Sequence, residues 1–454
     1  MNTCSSITTP RTRREFLRLT GTGFGWMALS VLAAEQASKP GANPLAPRPP
    51  HFTARAKRVI FLFMQGGPSH LETFDWKPEL ARVGKGGPHQ LLGPVFKFNP
   101  AGRSGLMISE VFPHLAKHAD ELCILNGMQT RTNSHVQATV ALHTGSETFV
   151  RPSMGAWITY GLGSVAEDLP GFVTIDPIHD NGGAMNYGSA FLPATFQGTR
   201  LSGGGGRGIP NLDGHLGGSG QREQLDLIQK MNRRLLGKVP ANPEIEGVIE
   251  SYELAYRMQT SVPGVLDMGG EPEAIQELYG INDRATETFG RQCLLARRLA
   301  EKGVRFIQLT HTGWDHHNGM REGLRGRAES IDRPIAGLLT DLGQRGMLND
   351  TLIIWGGEFG RGPYDDKGNG NGRGHHGRGY TMWMAGGGVK GGYRHGATDD
   401  LGDEVAEGRM DTQDLHATIL NLLGLDHEEL TYRYAGRDFR LTNVSGKVAR
   451  DILA

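Results

Sequence analysis

Six apolar residues in an unbroken row, Val59-Ile60-Phe61-Leu62-Phe63-Met64, followed at once by Gln65-Gly66-Gly67-Pro68, constrain this chain more than any other feature. A run so short, rich in β-branched and aromatic side chains and ended by turn residues, predicts a strand buried on both faces, as in a parallel sheet covered by helices. Further runs of this kind occupy 122–125, 172–175, 304–309, 351–355 and 381–385. Helical patterns lie between or beside them, at 134–143, 154–162, 286–302, 331–342 and 415–423. This alternation predicts a doubly wound, mostly parallel α/β sheet with helices on both faces, spanning residues 57–454.

Two segments break the rhythm. The glycine-rich stretch after residue 202 reads as a surface loop, and the helical pattern that follows it to about residue 280 reads as a cap or insertion. Residues 360–379, with Asp365-Asp366-Lys367-Gly368-Asn369-Gly370, read as a long loop without regular structure whose His and Arg content points to function. The chain has 67 glycines in 454 residues, about twice the usual share, and no collagen-like period, so function is expected in tight loops.

Forty-eight basic residues balance 48 acidic ones, leaving no global field that would attract nucleic acid or an anionic membrane, and neither is expected as a partner. Three cysteines, Cys4, Cys123 and Cys293, exclude a disulfide framework, and the simplest reading of the last two is a pair of buried free thiols.

The first residues carry an address. Thr12-Arg13-Arg14-Glu15-Phe16-Leu17 places paired arginines before an apolar pair, and a weakly hydrophobic stretch runs from Leu19 to Ala34. This predicts a twin-arginine signal peptide over residues 1–34, a proline-rich linker over 35–56, and periplasmic or otherwise extracytoplasmic delivery by the twin-arginine translocase. No later stretch reaches the roughly 20 apolar residues of a spanning helix, so stable membrane insertion of the mature chain is not expected.

In an open α/β sheet, ligands gather outside the carboxyl ends of the strands. The residues there are polar: His70 and Glu72 after the first run, Asp315-His316-His317 after 304–309, Glu358 and Arg361 after 351–355, and His375-His376 with Arg378 before 381. Imidazoles and carboxylates together suit Zn²⁺, Mn²⁺ or Fe²⁺ better than Ca²⁺. Ser134 and His135 stand at the predicted start of a helix, where free N–H groups favour a phosphate or sulfate and a nucleophile would be well placed.

At Gly66-Gly67-Pro68-Ser69-His70-Leu71-Glu72-Thr73-Phe74-Asp75, Ser153-Met154-Gly155-Ala156-Trp157, Gly313-Trp314-Asp315-His316-His317 and Gly357-Glu358-Phe359-Gly360-Arg361, the chain resembles the bacterial family called domain of unknown function 1501, planctomycete type. That family is placed with the alkaline phosphatases and sulfatases. The resemblance implies a site of one or two metal ions, with Asp315 and His317 as a metal pair, His376 as the late histidine and Glu358 where a second-metal acid is found. His70 joins the candidate metal ligands. Counting back from Thr144-Gly145 places the nucleophile at Ser134 or His135. The chain departs from the pattern in having no Cys-x-Pro-x-Arg, no Asp-His at Glu358-Phe359 and no Asp directly after the first strand, which points as much to an altered or one-metal site as to two metals.

The reading that follows is an exported metal-dependent hydrolase of sulfate or phosphate esters, acting on a small molecule or carbohydrate with Zn or Mn as cofactor. His135 would relay protons, and Arg361 or Arg378 would neutralise the anion. The alternative is an exported binding or scaffold protein with a degenerate site. A dinuclear metallophosphatase of another kind is disfavoured because its Gly-Asp and Gly-Asn-His loops are missing.

Overall fold

A computed structural model describes residues 43–86, 90–203, 218–236 and 243–454. The expected signal peptide, residues 35–42 of the expected linker, and the glycine-rich stretch 204–217 lie outside the described residues.

The main sheet has strands β1 (Arg58–Met64), β2 (Leu122–Gln129), β3 (Phe172–Ile175), β4 (Thr199–Leu201), β5 (Phe306–His311), β6 (Thr351–Gly356), β9 (Tyr380–Ala385), β10 (Tyr393–His395) and β11 (Met410–Asp411); β7 (Gly360–Asp365) and β8 (Arg373–His376) form a separate antiparallel hairpin. Across the main sheet the order is β10-β2-β9-β6-β1-β5-β3-β4, with β11 beside β2. β1 sits centrally, parallel to β5 and β6, with Leu62 opposite Leu309 on one side and Trp355 on the other. Only β9 runs antiparallel, to both β2 and β6. Every residue of β1 beyond Arg58 is buried, as its continuous apolar run requires.

Helices cover both faces. On one, α1 (His135–Thr144) sets His143 against the rings of Phe61 and Phe63, and α2 (Met154–Leu162) brings Gly155 against Phe172. On the other, α5 (Glu287–Glu301) places Phe289 on His311 and α6 (Met320–Gln344) bonds it through Ser330. Between the strand-flanking elements, α3 (Gly218–Leu236) and α4 (Pro243–Leu266) pair through Arg222 and Glu253, and Met258 and Val262 of α4 reach Val173, Leu201 and Leu299. The last helix, α7 (Thr412–Leu422), begins with a capping box between Asp411 and Asp414. Cys123 and Cys293 are buried free thiols, and burial pushes the Cys123 pKa up to about 12. Among the described residues no helix is long and apolar enough to cross a membrane.

The expected loop over 360–379 is the one clear correction to the fold. It contains the β7–β8 hairpin, whose strands show no apolar alternation because buried arginines rather than an apolar face hold them down. The Arg373 side chain is fully buried and paired with a fully buried Glu72, and Arg361 is buried to 1% exposure.

Candidate metal centre

The carboxyl ends of β1, β5 and β6 share one sheet edge, and antiparallel β9 brings the segment before it to the same edge. The β1–Pro68 turn makes the approach possible. Gly66 has φ of +117°, and a Cβ there would lie 2.7 Å from the Asp315 backbone nitrogen, so only glycine lets the two loops touch.

Asp315 stands at the middle of the cluster. Three imidazoles turn Nε2 toward it: His317 at 3.0 Å and His375 at 3.2 Å from Oδ1, and His135 at 3.4 Å from Oδ2. The Nε2 atoms of His317 and His375 are 2.9 Å apart. Each of the three rings is held from behind at Nδ1. Glu358 accepts from His135 at 2.5 Å, Asp366 from His317 at 2.8 Å and the Asn133 carbonyl from His375 at 2.9 Å. Carboxylates and carbonyls only accept, so Nδ1 carries the proton in each ring, and in the neutral ring Nε2 offers a lone pair to the centre.

This arrangement fits a divalent cation. His135, Asp315 and His375 offer ligand atoms all within 4.8 Å of one another, and the buried His135 Nε2 has no hydrogen-bond partner of good geometry among the described residues. A tetrahedral shell with ligands at about 2.0–2.1 Å has edges of roughly 3.3 Å, close to the separations seen around Asp315. The imidazole-rich donor set suits Zn rather than Ca.

The electrostatics follow from this crowding. Burial lowers the His135 pKa, but its contacts with Asp315 and Glu358 outweigh burial and raise it from 6.5 to about 9. Burial likewise opposes the Asp315 anion, yet His135, His375 and Arg361 hold its carboxyl well below the usual carboxylate range. Arg361 donates to Asp315 while its Nε donates to the Gly67 carbonyl at 3.0 Å and Nη1 to the Arg373 carbonyl at 3.1 Å. Its guanidinium is thus fixed beside the cluster.

Of the residues singled out from sequence, Asp315, His317, His135 and Arg361 meet here, and Glu358 joins through His135. Glu358 does not reach the centre itself. Its side chain is fully buried and also accepts from the Gly66 N–H at 3.0 Å, so it sits behind a candidate ligand rather than among the ligands. His376 is placed elsewhere, with Nε2 on the Asp403 carbonyl, and the neighbouring His375 takes its expected position. The reason is strand parity: successive side chains of β8 point to opposite sides. His70 lies away from Asp315, bonded at 3.0 Å to the Gly402 carbonyl, and burial lowers its pKa to about 3. Arg378 is mostly exposed and pairs with Asp403 and Glu404. Ser134 is exposed at the N-cap of α1, one residue from His135, and makes no cap hydrogen bond. Sequence reasoning gave His135 a catalytic role only, where the structure groups it with Asp315 and His375, and it missed His375 beside Asp315, Asp366 behind His317 and the Glu72–Arg373 pair.

The fold and this cluster define an α/β protein with three histidines gathered on one carboxylate at the carboxyl edge of its sheet. The chain belongs to the family described as protein of unknown function (DUF1501), which matches residues 56–453. Solved structures to which it is similar include the lipoteichoic acid synthase LtaP from Listeria monocytogenes (11% identity, 90% of this chain and 80% of that one, TM-score 0.39). Others are the PsFucS1 sulfatase from Pseudoalteromonas sp. (14%, 92% and 73%, TM-score 0.37) and alkaline phosphatase from the Antarctic bacterium TAB5 (11%, 81% and 98%, TM-score 0.32). No curated protein matches the chain.

Proposed function

We propose that this protein is an extracytoplasmic, metal-dependent hydrolase of sulfate or phosphate esters, carried on small molecules or carbohydrates and delivered by the twin-arginine translocase. One observation carries the metal: three histidines, each fixed at Nδ1 by an acceptor, turn Nε2 on a single carboxylate. The ester class rests on the sequence resemblance.

Asp315, His135, His317 and His375 would hold the ion. A divalent cation there supplies Lewis-acid polarisation of the ester oxygen. The chain's own groups do the rest. Glu358 and Asp366 keep the rings aimed. Arg361, buried and ion-paired with Asp315, holds that carboxylate in place rather than meeting the ester itself. The start of α1 presents N–H groups next to His135, which favours an anion at that point, and Ser134 is the candidate nucleophile on the same turn.

The test combines metal content, heat and turnover. A cation that binds only the folded state stabilises it, by about 2.7 kcal/mol at 100-fold excess over Kd, so a chelator lowers the Tm of wild type. Asp315→Ala lowers Tm as well and removes any further effect of chelator. Additive losses from the two would refute Asp315 as a ligand. Metal-loaded protein inactive against a broad panel of sulfate and phosphate esters would instead favour an exported binding protein with a degenerate site.

A further inference from the structure

The opposite end of α1 carries a second polar cavity, unrelated to the cluster at His135. Ten helical residues separate the two ends, about 15 Å along the axis. The cavity measures about 110 Å³ and is lined by Arg151, Arg437, Arg440, Asn443 and the rings of Phe149 and Phe439, with no acid among its lining residues.

The charges in it do not cancel. Arg440 is paired with Glu428 at 3.0 Å. Arg151 and Arg437 have no carboxylate partner among the described residues. Their guanidiniums lie 4.4 Å and 4.9 Å from the centre of one ring, Phe439, and Arg151 also stands 5.3 Å from the Phe149 ring. Asn443 accepts from Arg437 at 2.9 Å, which fixes the guanidinium without neutralising it. Burial and the Arg437 charge both lower the pKa of Arg151, as expected of two cations held close in a partly dry pocket. The C-terminal end of α1 contributes about half a negative charge, too little to offset two guanidiniums.

We infer that this cavity is a second anion-binding site, which takes one tetrahedral oxyanion, a sulfate or phosphate, either free or as the ester group of a sugar. Size supports a single such group, since 110 Å³ holds the equivalent of three or four waters at about 30 Å³ each. The planar forks of Arg151 and Arg437 match oxyanion geometry, and stacking on Phe439 pre-organises them. The rim explains the second source. Phe149 is 64% exposed beside the pocket, an apolar face of the kind a sugar ring packs against. This inference does not depend on the hydrolase reading.

Equilibrium dialysis of the full protein at constant ionic strength, with labelled inorganic sulfate, inorganic phosphate and a monosaccharide sulfate, tests it. Wild type and Asp315→Ala should both bind one anion per chain that Arg437→Glu does not, and Arg151→Gln should weaken binding at least tenfold. Arg437 is an exposed residue of the short antiparallel pair Tyr432–Tyr434 and Arg437–Phe439, so its variant keeps the fold and decides the matter even where Arg151→Gln does not fold. A monosaccharide sulfate held at least tenfold more tightly than inorganic sulfate, with Phe149→Ala erasing the difference, identifies the sugar ester; equal affinities identify the free ion. Equal stoichiometry in wild type and Arg437→Glu, or no binding to wild type, would overturn the assignment.

Discussion

Replacing Arg373 by Met removes the guanidinium that fastens the β7–β8 hairpin to the body of the protein. Arg373 Nε lies 3.0 Å and 3.2 Å from the two oxygens of Glu72, and Nη2 lies 2.9 Å from Oε1. The same side chain donates to the carbonyls of Leu92 at 2.8 Å, Gly93 at 3.2 Å and Gly362 at 3.2 Å. Both ionic side chains are fully buried. Breaking such a pair by removing one partner costs about 3–5 kcal/mol, because the other charge stays buried with, among the described residues, only the Ser69 hydroxyl as a remaining side-chain donor. Against a total stability of roughly 5–15 kcal/mol that is a large fraction. A Glu72→Leu/Arg373→Met double variant removes both charges and should recover most of the loss, keeping only the part due to the three carbonyls, about 1–3 kcal/mol. Urea unfolding followed by tryptophan fluorescence measures Arg373→Met, the Glu72→Leu single variant and the double variant. Since the hairpin also carries Arg361 and His375, Arg373→Met should weaken metal binding in the same protein. A loss below about 1 kcal/mol in Arg373→Met, or a double variant as unstable as the sum of the singles, would refute the coupling.

Glu358→Gln should lower metal affinity about 10–100-fold in a competition titration with a chromophoric chelator, because the amide orients His135 less well than the carboxylate; unchanged affinity contradicts that role. In metal-free protein the His135 pKa of about 9 exceeds its unfolded 6.5, so its contribution is full below pH 6.5 and fades as pH rises through 9. That amounts to at most about 3 kcal/mol. His143 and His416, both lowered by burial to about 4, act oppositely and withdraw stability as pH falls from 6.5 toward 4, so the comparison to make is wild type against His135→Gln at pH 6 and 9.5. A difference between those two proteins that does not change with pH would contradict it. Replacing Arg13 and Arg14 by Lys should leave precursor in the cytoplasm, and mature protein outside the cell at the wild-type level would count against the twin-arginine route.

The central strands were legible because burial on both faces leaves an unbroken apolar run, as in Ile60 to Met64. The hairpin was not, because its strands Gly360–Asp365 and Arg373–His376 are tied to the body of the protein by Arg361 on the Gly67 carbonyl and Arg373 on Glu72, each more than 250 residues away in sequence. Nothing local marks such strands. The edge strands Thr199–Leu201, Tyr393–His395 and Met410–Asp411 are too short for a period to show.

The site was legible in kind but not in assignment, and the failures share one cause. Sequence places a residue on an element, whereas a ligand is chosen by which side of that element it faces. His375 and His376 are adjacent and chemically alike, yet β8 gives one to Asp315 and the other to Asp403. Glu358 is likewise one side chain removed from the centre, where its charge acts through the His135 ring. The direction of β9 completes the geometry. Were it parallel to β6, the segment preceding it would begin at the far edge of the sheet and His375 could not reach Asp315. Its antiparallel pairing with β6, in which Trp383 lies opposite Trp355, is what converts a histidine before a strand into a histidine at the carboxyl edge.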